Sequence, residues 1–230
     1  MRNAHFVFAL LIGLAGCAAA PLPPEELAAA RSASDVAARN FVTVVDRVEP
    51  VAERECRARA PDIDCDFQIF IDDRRGQPAN AFQTIDANGR PAVIFTLALI
   101  ADARNQDELA FILGHEAAHH IAGHIPRAEA NAQIGAMVLG SLAQAAGRSP
   151  RAVNEAARVG ATVGARRFAK EFELEADELG TIIAARAGYD PLLGAAFFDR
   201  IPDPGDQFLG THPPNAERIA VVRRTAATLP

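Results

Sequence analysis

His115 and His119 stand four residues apart, with Glu116 between them, directly after the apolar run Leu-Ala-Phe-Ile-Leu at 109–113. No other feature constrains the fold of this chain as much. On an α-helix, positions i and i+4 project from one face about a turn apart, close enough for two imidazoles to reach one ion. The apolar run buries that helix, and buried imidazoles need partners. The spacing predicts a helix over about 106–124, capped by Asn105 and closed by Pro126. Glu116 falls about 100° round the helix from His115, placed to reach a water on the metal without ligating. Zinc lowers the pKa of such a water towards neutrality, and a nearby carboxylate takes its proton as a polarised carbonyl is attacked. The pattern therefore reads as the centre of a zinc-dependent hydrolase holding one Zn2+ per chain.

A catalytic zinc needs a third protein ligand and an open position. His124 follows His115 by nine residues, whereas metzincins place their third histidine at ten, with glycine where this chain has Ala122. They also need a downstream methionine, and only Met1 and Met137 are present, so that arrangement is set aside. His120 and His124 are assigned to the last turn of the helix, where the dipole favours positive charge. The better source is the acidic segment at 171–178. Glu173, Asp177, Gly180 and Ala184 share one stripe of a helix, and its small residues allow close approach to the histidine helix. Glu175 and Glu178 lie off that stripe. Glu173 then completes a His2Glu site, and Asp177, one turn on, accepts a hydrogen bond from a ligating histidine and fixes its tautomer.

At the N-terminus, Arg2 precedes an apolar run at 6–14 and then Leu14-Ala15-Gly16-Cys17. A short basic region, an apolar stretch of this length and small residues before a cut site describe a secretory signal peptide over 1–16. The run is too short to read as a membrane span. The tetrapeptide resembles the bacterial lipobox, whose cysteine is acylated, so Cys17 is the expected lipid anchor. Ala18, standing where an aspartate would otherwise direct retention, resembles the pattern sorted to the outer membrane. Cys56 and Cys65 remain, an even pair in an exported chain, which reads as a disulfide in an oxidising compartment. Net charge is −6 and there is no long basic run, which argues against a nucleic-acid partner.

Residues 17–33 read as a proline-rich extended tether, and 34–230 as one metallopeptidase domain. Apolar residues at helical spacing predict a first helix from about 34, ending before Pro61. Strands are expected at 67–71, 81–85 and 92–96, the last two joined by a hairpin turn at Asp86-Ala-Asn88-Gly89. Everything after Thr96 reads as helical, with helices at 128–146, 152–187, 192–200 and 215–228. The fold class expected is α+β, mostly helical, with a small antiparallel sheet beside the active-site helix.

Several motifs occur together between 78 and 218: Pro78-Ala-Asn80-Ala81-Phe82, Asn105-Gln-Asp-Glu108-Leu109-Ala110 leading into His115-Glu116-Ala-Ala-His119, and Glu173-Leu-Glu-Ala176-Asp177. Ala187-Gly188-Tyr189-Asp190-Pro191 and His212-Pro213, with Arg218 six beyond His212, complete the set. In this combination the chain resembles the HtpX and CAAX-prenyl-protease family of gluzincin zinc metallopeptidases, and in particular its soluble, exported lipoprotein branch. It departs from the family in reading Leu97-Ala98-Leu99 after the strand, where Gly-Leu-Leu is usual. The resemblance implies a zincin-type domain and, like the stripe, assigns the third zinc ligand to Glu173. It also brings His212 and Arg218 into the active site. A zinc peptidase needs a donor for the developing oxyanion, and His212 is the candidate, either as that donor or as a fourth zinc ligand that latches the site. Arg218 would orient His212 or bind the oxyanion itself. Substrate is expected to add as a strand to the edge near 93–96, with Asn80, Val93 and Phe95 in the binding surface. The implied activity is endopeptidase cleavage of unfolded or misassembled envelope proteins. A chaperone-like factor working with the outer-membrane assembly machinery, with little proteolysis, is the competing expectation.

Overall fold

The computed structural model describes residues 23–207 and 209–230, so the leader and Cys17 lie outside the described residues. Helix α1, Pro24–Arg59, starts ten residues earlier than the periodicity suggested. Residues 24–33 continue the helix and are not an extended tether. Pro24 sits in the first turn, where its fixed φ suits a helix start and its missing N–H costs nothing. Glu25 and Glu26 complement the helix dipole there. This first stretch is exposed, whereas Phe41, Val44, Val48 and Val51 further along form a buried stripe. The Cys56–Cys65 disulfide, with Cα atoms 5.7 Å apart, ties the helix end to the approach of the first strand.

Three strands, β1 (Gln68–Asp72), β2 (Ala81–Ile85) and β3 (Pro91–Thr96), form one sheet in the order β1-β3-β2. The hairpin turn is present: Asp86 N–H bonds the Arg90 carbonyl at 2.9 Å, and Gly89 takes φ 85°. β2 and β3 are antiparallel, but β1 pairs with β3 in parallel, so the sheet is mixed rather than wholly antiparallel. β3 is the central strand and not an edge. Val93 and Phe95 are fully buried and hydrogen-bonded on both sides, which rules them out as substrate contacts. The unbroken apolar run of β3 is what a strand covered on both faces requires.

Thr96 then caps the short helix α2 (Leu97–Asp102), accepting from Leu99 N–H, and its hydroxyl also holds the Pro78 and Asn80 carbonyls. Helix α3 (Gln106–Ile121) is capped as expected: the Asn105 side chain accepts from Glu108 N–H. It ends at Gly123, which takes φ 65°, before Pro126 is reached. Helix α4 (His124–Ala145) packs against α5 (Pro150–Arg166) as a hairpin, while α6 (Ala169–Arg186) packs against α3. The single helix expected over 152–187 is thus two. A continuous helix of that length would run straight for about 54 Å, and could not lie against α4 and then turn back onto α3. The C-terminal part adds α7 (Pro191–Ala195), a 3-10 turn (Ala196–Asp199) and α8 (Asn215–Ala226).

Candidate metal centre

The α3–α6 crossing brings the histidines and the carboxylates together. Gly114 and Gly180 meet there: a Cβ on Gly180 would lie 2.8 Å from the His115 backbone nitrogen. On α3 beside this contact the His115 and His119 Nε2 atoms lie 3.0 Å apart. Glu173 Oε2 is 3.6 Å from His115 Nε2, and Oε1 is 3.4 Å from His119 Nε2. Tetrahedral zinc with bonds of about 2.0–2.1 Å places its ligand atoms about 3.4 Å apart, so these three donors fit the ion. Among the described residues they form the metal-capable cluster, with all ligand atoms within 4.8 Å of one another.

Around this triangle the charges are strongly coupled. Burial disfavours a charged His115, but hydrogen bonds to Asp177 and Glu173 outweigh it and raise its pKa to about 10. A ligating ring must give up that proton, so metal and proton compete at this nitrogen. Burial would raise the Glu173 carboxyl, yet hydrogen bonds from His115, His119 and His212 hold it well below the usual range. Burial raises the pKa of Glu116, with His115 and His119 opposing, which suits a carboxylate that has to accept a proton.

Asp177 stands where the stripe put it: its Oδ1 is 2.9 Å from His115 Nδ1. Its other partner is Arg218, on α8, which donates from Nε to Oδ2 at 2.7 Å and from Nη2 to Oδ1 at 2.6 Å. Arg218 Nη2 also lies 3.3 Å from Glu173 Oε2. The guanidinium is buried over the Phe198 ring and committed to these two carboxylates. It braces the ligand helix, and its Nη2 also lies 3.3 Å from His115 Nδ1 where the guanidinium borders the cleft. His212 does enter the site, its Nδ1 3.1 Å from Glu173 Oε2 and its side chain about half exposed to the cleft.

The centre opens into a cleft of about 730 Å³. One wall is β2 and its approach, with Asn80, Ala81 and Gln83; Phe172, Ile125 and Pro204 line other sides. Asn80 is therefore placed beside the site, while β2, not β3, is the strand that borders it.

His124, expected in the last turn of the histidine helix, stands elsewhere and has a different role. It opens α4, not the end of α3, and is 4% exposed, with Nδ1 2.8 Å from His119 Nδ1 and Nε2 3.1 Å from Glu175 Oε2. Burial drives its pKa down to about 4. His120 bonds the Asp64 carbonyl at 2.7 Å and ties α3 to the disulfide loop. The one available signal for His124 was Gly123, a residue type that commonly ends helices in a left-handed conformation.

A helix with two metal-facing histidines, a glutamate between them and a carboxylate brought in from a second helix defines a metallopeptidase. The chain belongs to Peptidase family M48, whose profile matches residues 39–226. It is similar to the beta-barrel assembly-enhancing protease of Escherichia coli K12, 31% identical over 162 residues, covering 64% of this chain and 32% of that protein. The Yersinia pestis protein of the same name is 30% identical over the same shares. The mitochondrial metalloendopeptidase OMA1 of Arabidopsis thaliana is 29% identical over 130 residues, 55% of this chain and 26% of that protein. The chain spans about a third of the length of the bacterial relatives it matches. Among the described residues no helix is long and apolar enough to cross a membrane.

Proposed function

We propose that this metallopeptidase is a zinc-dependent endopeptidase of the bacterial cell envelope, exported, lipid-anchored through Cys17, and acting on unfolded or misassembled envelope proteins. The observation that carries the zinc reading is the donor triangle of His115, His119 and Glu173 at the foot of an open cleft. Zinc held by His115, His119 and Glu173 would supply an acidified water and a Lewis-acid contact for the scissile carbonyl. Glu116, lining the cleft beside the three donors, would act as the proton carrier, taking a proton from the attacking water and delivering it to the leaving amine. Asp177 and Arg218 keep His115 and Glu173 in place throughout. A substrate segment lies extended along β2, where backbone pairing tolerates varied side chains and so suits unfolded chains. The disulfide supports an oxidising compartment, and the lipobox resemblance supports the anchor at the outer membrane. The relatives named for enhancing beta-barrel assembly support envelope proteins as the substrate class and the assembly machinery as a partner.

The test is turnover of unfolded casein. Wild type is expected to cleave it, chelator to abolish cleavage, and Glu116→Gln to retain zinc while losing activity. Persistent cleavage by Glu116→Gln would sink the mechanism, and zinc binding with no cleavage by wild type would favour the chaperone-like reading. His212→Ala, in the same assay, is expected to lower turnover about 100-fold or more with zinc retained if His212 is an oxyanion donor. A rise in turnover would identify a latch.

A further inference from the structure

The two histidines of the metal centre are supported differently. His115 leans directly on the carboxylate Asp177. His119 leans on a second imidazole. If His119 ligates through Nε2, which faces His115 Nε2 and Glu173, its proton resides on Nδ1. That N–H points at His124 Nδ1, 2.8 Å away, so His124 must present a bare nitrogen there. The proton of the neutral His124 ring then sits on Nε2 and is donated to Glu175 Oε2 at 3.1 Å. Arg127 Nη1 donates to the same Glu175 oxygen at 2.8 Å. One assignment of protons satisfies every contact, and it runs in one direction, from His119 through His124 to Glu175.

The ring of His124 is also held mechanically. It stacks on Phe172 with centroids 4.6 Å apart and planes 12° from parallel, and Arg127 lies 4.4 Å from that same ring centre. The left-handed Gly123 turns the chain so that the first residue of α4 faces back onto α3. We propose that His124, braced by Glu175, is the positioning residue for His119: it accepts the Nδ1 proton and so fixes both the tautomer and the plane of a zinc ligand. This rests on His119 ligating zinc. An interposed neutral imidazole is a weaker acceptor than a carboxylate, so the two zinc-facing histidines are braced by partners of different strength.

The experiment uses the full chain with its disulfide intact, and measures the zinc dissociation constant by chelator competition and the visible spectrum of the cobalt-substituted protein. Loss of such a partner typically costs about 10- to 100-fold in metal affinity, and that loss is expected of His124→Leu, with an altered cobalt spectrum. His124→Asn places Oδ1 where Nδ1 stood and is expected to restore most of the affinity. Glu175→Ala should fall between the two. Glu178→Gln, an exposed acid on the same helix, should match wild type. Melting of the zinc-free variants reports on folding separately. Wild-type affinity and cobalt spectrum in His124→Leu would overturn the proposal. So would a folded His124→Asn as impaired as His124→Leu. A wild type that binds no zinc, or a Glu173→Ala that binds it normally, would instead overturn the zinc assignment itself.

Discussion

Glu173 and Glu175 are two residues apart on one acidic helix, yet they meet different surroundings. Glu173 is buried against His115, His119 and His212, whereas Glu175 is largely exposed and pairs with Arg127 and His124. After dialysis Glu173→Ala is expected to carry no stoichiometric zinc, while Glu175→Ala retains it at weaker affinity; metal analysis by atomic emission decides, and a reversed pair of results would remove the ligand assignment. Placing these residues from the sequence was possible because helical period is local: 115 with 119, and 173 with 177, 180 and 184, lie on faces whatever the rest of the chain does. His124 was illegible because its direction depends on the φ of Gly123, not on spacing. Arg218 could be placed in the site but not given its partners, since its contacts with Asp177 and Glu173 join residues more than forty positions away.

At the scale of elements, the α3–α6 crossing sets the metal geometry. Gly180→Ala would put a methyl group 2.8 Å from the His115 backbone nitrogen and 2.9 Å from its Cα, so the helices have to part. Overpacking of this kind costs about 1–3 kcal/mol, and because the site spans the contact, zinc affinity should drop as well. Urea unfolding and zinc titration of Gly180→Ala check both, and unchanged values in both would show the crossing to be softer than its geometry. Element identity was largely readable from pattern, as with the Asn105 cap and the hairpin at Asp86–Gly89. The strand order was not. An apolar run such as 92–95 says that a strand is buried, and only pairing on both sides says that it is central. Likewise the break between α5 and α6 follows from two different packing partners, a tertiary demand that overrides helix propensity.

Across the whole molecule, the disulfide ties the end of α1 to the approach of β1, and Arg218 ties α8 to the ligand helix α6. The Cys56–Cys65 bridge closes a short loop, sequence separation 9, which corresponds to about 2–3 kcal/mol of restricted unfolded-chain entropy. Cys56→Ala/Cys65→Ala should lose about that much in denaturant unfolding; no loss would mean that the packing around the loop suffices alone. The clamp from Arg218 carries a different consequence. His115, Glu116 and His119 are made first, Glu173 and Asp177 later, and Arg218 belongs to the last helix of the chain. A ribosome-bound or half-threaded chain therefore holds the reactive motif before it holds the residue that locks the ligands. The full brace on Asp177 and Glu173 exists only once α8 has packed onto α6, so the order of synthesis leaves the bracing of the ligand set to the helix made last among those that build it.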